Sequence, residues 1–82
     1  MSEEAKQIQT ELMKGMIALE AVEMKIGELS PADDAILSLQ RETMTLVNDA
    51  VREQENNENY SASIKLDIAA RLNKIITKYL TS

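Results

Sequence analysis

The chain has 82 residues, 44% of them hydrophobic, with no Cys, no His, no Phe and no Trp. Its formal net charge is −5. These facts exclude disulfides, thiolate metal sites and the usual zinc ligands. The negative sign disfavours nucleic acid or an anionic membrane as the main partner.

A chain this short buries about 60–65% of the surface it exposes when unfolded. Its core must come from Leu, Ile, Ala, Val and Met, which bury less area each than an aromatic ring. A partner subunit would supply the missing area. The start, Met1-Ser2-Glu3-Glu4, is acidic and polar, unlike a secretory signal peptide. Every long apolar run is interrupted by charge, so no membrane-spanning helix is expected. The expected location is the cytoplasm.

Periodicity predicts one all-α domain over 1–82, with helix 1 at about 3–28, helix 2 at about 31–55 and helix 3 at about 60–80. Helix 1 carries a seam of Ala5, Ile8, Leu12, Gly15, Leu19, Val22, Ile26 and Leu29 at alternating spacings of three and four. Met13, Met16, Ile17 and Met24 lie off that seam, so this helix is apolar on more than one face. Gly15 in the seam permits close approach of another helix, or else is a weak point costing about 1 kcal/mol.

Gly27 can end helix 1 in the left-handed conformation. Ser30, Pro31 and Asp33 then read as N-cap, N1 and N3 of helix 2, a capping box with Asp in place of Glu. Helix 2 has an apolar stripe of Ile36, Leu37, Leu39, Met44, Leu46, Val47, Ala50 and Val51. Asp34, Ser38, Arg41, Glu42, Thr45, Asp49 and Arg52 form its polar face.

The polar run Glu55-Asn56-Asn57-Glu58-Asn59 favours a turn, because Asn side chains compete for backbone hydrogen bonds and tolerate the left-handed region. Helix 3 is again apolar over a wide arc, through Ile64, Leu66, Ile68, Ala69, Leu72, Ile75, Ile76, Tyr79 and Leu80. Residues 31–59 carry net −5 and residues 60–82 carry net +3, so the two are expected to attract each other. Short connections favour an antiparallel three-helix bundle, or a helical hairpin with a third helix docked on it, expected to dimerise.

Two short stretches carry resemblances that compete. Ile36-Leu37-Ser38-Leu39-Gln40 after a Ser-Pro turn, with Ser63-Ile64-Lys65 before the last helix, resembles type III secretion needle subunits. Lys65-Leu66-Asp67-Ile68 through Ile75-Ile76 and Tyr79 is similar to the last helix of small acidic biofilm and acid-resistance regulators. The two families are unrelated and meet on the same helix, so neither is assigned.

Catalysis needs a nucleophile or an acid–base pair in a dry pocket. The adjacent acids Asp33 and Asp34 suit a helix start, and Glu20 with Glu23 reads as a solvated face. No catalytic residue, cofactor or metal is expected, and the chain is not expected to be an enzyme. The expected function is a small acidic interaction module, such as an adaptor, regulator or chaperone-like protein. It would form a homodimer and bind a helical segment of another protein. Met13, Met16, Met24 and Met44 either fill irregular gaps in an aromatic-free core or, as soft side chains that accept helices, form an interface; the expected interface is Leu12, Met13, Met16, Ile17, Leu19 and Met24. Arg71, Lys74 and Lys78 are candidates for contact with an anion or an acidic partner. A self-assembling structural subunit is the alternative, and a nucleic-acid-associated regulator the third reading.

Overall fold

The computed structural model describes residues 2–82, and three helices account for nearly all of them. They are α1 (Glu3–Ile26), α2 (Pro31–Glu55) and α3 (Asn59–Thr81). No strand is present among the described residues.

The local signals that bound these helices are physical stops. Ser2 caps α1, its Oγ accepting the Ala5 N–H at 3.2 Å. Gly27 ends α1 with φ 96, a conformation that costs glycine little. The helix therefore stops two residues before the expected limit at Glu28. Ser30 caps α2 by accepting the Asp33 N–H at 3.2 Å, with Pro31 at the first helical position. The Asp33 carboxylate does not complete a capping box. It accepts the Tyr79 O–H at 2.8 Å and so ties the start of α2 to the end of α3. In the second break Asn57 takes the left-handed conformation, φ 63. α3 begins at Asn59 without a side-chain cap.

Each helix packs through a seam with spacings of three and four. In α1 the buried positions are Ala5, Ile8, Leu12 and Leu19, with half-buried Gly15 between the last two. In α2 Gln40, Thr43, Val47 and Ala50 fall in one such series, and in α3 Ala62, Leu66, Ala69, Asn73 and Ile76 do. Three seam positions are thus polar yet buried: Gln40, Thr43 and Asn73. The Thr43 hydroxyl donates to the Leu39 carbonyl at 2.7 Å. Asn73 donates through Nδ2 to the Glu11 carboxylate. Gln40 is fully buried, and neither its Oε1 nor its Nε2 meets a partner among the described residues.

Gln40 explains Gly15. A Cβ at position 15 would overlap Gln40 Nε2 and approach Leu80 Cδ1 at 3.0 Å. The glycine is therefore a point of close approach, where α2 and α3 both press against the α1 backbone.

Cross-helix contacts fix the register. Gln9 Nε2 donates to Asn48 Oδ1 at 2.9 Å, and Gly15 meets Gln40, so α1 and α2 are antiparallel. Glu11 meets Asn73 and Gly15 meets Leu80, so α1 and α3 are parallel. Since α3 ends at Thr81, its last turn lies beside Gly15 and leaves the rest of α1 uncovered on that side. Every residue from Glu20 to Glu28 is exposed as a result. Val22 and Ile26 were expected to continue the buried seam. They are exposed because α3 does not reach them. Helices about 35–38 Å long set the elongated shape, 44 × 20 × 18 Å, and the overhang adds to its length.

Candidate protein-interaction surface

The expected polar face of α2 is at the surface: Asp34, Ser38, Arg41, Glu42, Thr45 and Arg52 are exposed and Asp49 is half-buried. α1 and α3 differ. Each presents large apolar side chains to solvent along its outer face.

On α1 the outer line is Met13, Ile17 and Met24, which are 50%, 61% and 89% exposed. Their spacing of four and then seven places them on one face. Gln9 contacts α2 and lies one turn before Met13, so this line sits just outside the α2-facing edge. Glu4, Ile8, Glu11 and Lys14 border α3 on the far side of the helix. Met16 is half-buried beside the line. Leu12 and Leu19, expected within the interface, are instead core residues. They occupy the seam, and the rotation of α1 that buries them carries Met13 and Ile17 outward.

On α3 the outer line is Ile64, Ile68 and Ile75, again spaced by four and seven and exposed. Lys65, Leu72 and Tyr79, seven residues apart, form the edge that faces α2, because Lys65 meets Glu53 and Tyr79 meets Asp33. The isoleucine line lies just outside that edge. Ala70, Asn73, Lys74 and Thr77 border α1 on the other side. The two apolar lines therefore point to opposite sides of the bundle. Reading α3 from its apolar content found its excess of hydrophobic residues. It did not separate the seam residues Leu66 and Ile76 from the outward ones.

The three basic residues of α3 have different surroundings. Arg71 forms an exposed ion pair with Asp67, 3.1 Å away and one turn earlier. Lys74 and Lys78 border the α1–α3 groove, together with Glu4 and Glu11. None of the three pairs with α2 as the charge distribution suggested. That attraction is concentrated in one contact, Lys65 Nζ to Glu53 Oε2 at 2.8 Å. The Ser61 hydroxyl donates to the same carboxylate at 3.0 Å. The hydrogen bond from Lys65 holds the Glu53 carboxyl below its ordinary value near 4.5, against the opposing effect of burial. The same bond holds the Lys65 ammonium above its ordinary value near 10.5.

A shallow groove lies between α1 and α3, over Ile8, Glu11, Asn73 and Thr77. Among the described residues no cluster of carboxylates has metal-site geometry, and no helix is long and apolar enough to cross a membrane. Comparison with protein-family models, with curated protein sequences and with solved structures gives no match.

Proposed function

We propose that this chain is a non-catalytic protein–protein interaction module that self-associates and receives amphipathic helices on its outer faces. The observation that carries this reading is the line Met13, Ile17 and Met24, exposed on a helix whose opposite face is already buried. Exposed apolar residues scattered singly need no explanation, but three share one helix face here, with Met16 beside them and Glu20 between Ile17 and Met24. Two of the three are methionines, whose unbranched, polarisable side chains adapt to differently shaped partners. A helix laid against this line is the recognition mode that fits its spacing.

A second reading, a self-assembling structural subunit, is favoured by the opposed directions of the α1 and α3 lines. Unlike faces on opposite sides of one subunit make head-to-tail contacts, which form rings or open filaments.

The test is capture from native cell extract with the full chain, followed by reconstitution of the captured helix as a synthetic peptide. Met13→Ser/Ile17→Ser/Met24→Ser serves as the control. The expected result is saturable binding of the peptide to the wild-type chain, with at least a tenfold loss in the control. A peptide that binds both equally would contradict the reading.

A further inference from the structure

The α1 and α3 lines match each other residue for residue. Met13, Ile17, Glu20 and Met24 follow the spacing four, three, four, and so do Ile64, Ile68, Arg71 and Ile75. A constant offset of 51 positions superimposes them. Apolar residues coincide with apolar residues, and the one charged position pairs an acid with a base. We propose that the helix received by α1 is α3 of a second copy, running parallel to it, in a repeating head-to-tail assembly. This rests on the interaction-module reading and names its partner.

Three observations support the second copy as occupant. The first is charge. Residues 20–28 carry Glu20, Glu23 and Glu28 against Lys25 alone, whereas α3 exposes Arg71 beside its isoleucine line and Lys74 and Lys78 toward its α1 edge, against Asp67 alone. Pairing α3 with α3 would gather like charges, and so would pairing α1 tips with each other. Only the mixed contact brings opposite fields together.

The second is direction. Within one chain α1 and α3 are parallel and their lines point to opposite sides, so the same contact can repeat from copy to copy without inverting either helix. The third is register. Glu11 lies level with Asn73 of its own chain. Setting Glu20 level with Arg71 of the neighbour displaces each copy by about 15–20 Å along the helix axis at 1.5 Å per residue. That shift lays the neighbour's α3 beside the part of α1 that its own α3 does not reach. A contact of about three helical turns is a small interface, so assembly is expected to depend steeply on concentration.

The experiment is sedimentation velocity on full-length chains over a concentration series. Wild type is expected to pass beyond dimer as concentration rises. One variant, Ile17→Lys/Met24→Lys, blocks the α1 line. Another, Ile68→Lys/Ile75→Lys, blocks the α3 line. All four positions are exposed, and circular dichroism checks that the helices persist. Each variant alone should associate at least about 100-fold more weakly than wild type. Mixed in equal amounts they should form a dimer and stop there, because one intact α1 line meets one intact α3 line.

Charge reversal gives an independent arm. Glu20→Arg and Arg71→Glu should each weaken assembly, and the double variant should restore it. A mixture that stays monomeric, a single blocked variant that still assembles, or a wild-type chain that stays monomeric would each overturn the head-to-tail contact. A monomeric wild type that still binds a foreign helix on Met13, Ile17 and Met24 would overturn this contact and the self-association with it, and leave standing only the reception of foreign helices on α1.

Discussion

Gly15 and Gln40 share one point in the bundle: the Gln40 amide occupies the space that a side chain at position 15 would fill. In an isolated helix Gly→Ala stabilises by about 1 kcal/mol. Here the amide is fully buried and Leu80 closes the other side, so the added methyl group has no room. Gly15→Ala is therefore expected to destabilise by about 1–2 kcal/mol, as overpacking does. In a Gln40→Ala background the same change should be neutral or stabilising. Urea unfolding of the four chains measures that coupling.

The same amide is expected to be a stability defect. It sits in the seam with both polar atoms unpaired. Gln40→Met keeps the unbranched shape and removes the two unpaired atoms, so stability should rise by about 1–3 kcal/mol. The urea midpoint should increase with an unchanged slope. A fall in the midpoint would mean that the amide has a favourable role in the bundle, such as fixing the register of the three helices.

These polar seam positions mark the limit of what the sequence discloses. The helix boundaries are legible because Gly27, Ser30-Pro31 and the Asn56-Asn57 pair act locally, on their own backbone. The apolar stripe of α2 is legible for a similar reason, since its eight residues are all buried or half-buried. Gln40, Thr43 and Asn73 escape a reading of apolar letters, although each stands where the three-four spacing of its seam requires a residue. Val22 and Ile26 show the converse. They continue the α1 seam in sequence, but the register of α3 decides burial, and register is a long-range property. The exposure of Met13, Ile17 and Met24 is one of the two outcomes the sequence leaves open for that face, and the burial of Leu12 and Leu19 is illegible in it, because rotation of α1 about its axis selects which apolar face turns inward.

The Glu53–Lys65 pair should shape the pH dependence of the α2–α3 end of the bundle. Glu53 is held below its ordinary value by the Lys65 hydrogen bond, so its stabilising contribution is complete above about 4.5 and is lost as pH falls through its lowered folded value. Lys65 is held above its ordinary value, so its contribution is complete below about 10.5 and is lost as pH rises through its raised folded value. In Glu53→Gln the loss of stability below pH 4.5 should be shallower than in wild type. Thermal unfolding across an acid series reads this directly.

Tyr79 offers a second titration. Its hydroxyl donates to Asp33, and that bond, with burial and the Asp33 charge, holds the phenol above its ordinary value near 10.0. Its contribution to stability is therefore present below that value and lost as pH rises through the raised folded one. In a Tyr60→Phe chain all phenolate absorbance belongs to Tyr79. Its midpoint should lie above 10.0 and should fall when Asp33→Asn is added. An unchanged midpoint in the Asn variant would contradict the bond between the α2 start and the α3 end.

The most direct test of the outer α1 face as an interface is methyl NMR of chains labelled with 13C at the methionine methyl groups, over a dilution series. Met13 and Met24 are on the exposed line, and Met44 packs against the core. With increasing concentration the Met13 and Met24 methyl signals should shift or broaden while that of Met44 stays fixed. Signals of Met13 and Met24 that are invariant while the protein associates, or a Met44 signal that moves as much as theirs, would contradict the account.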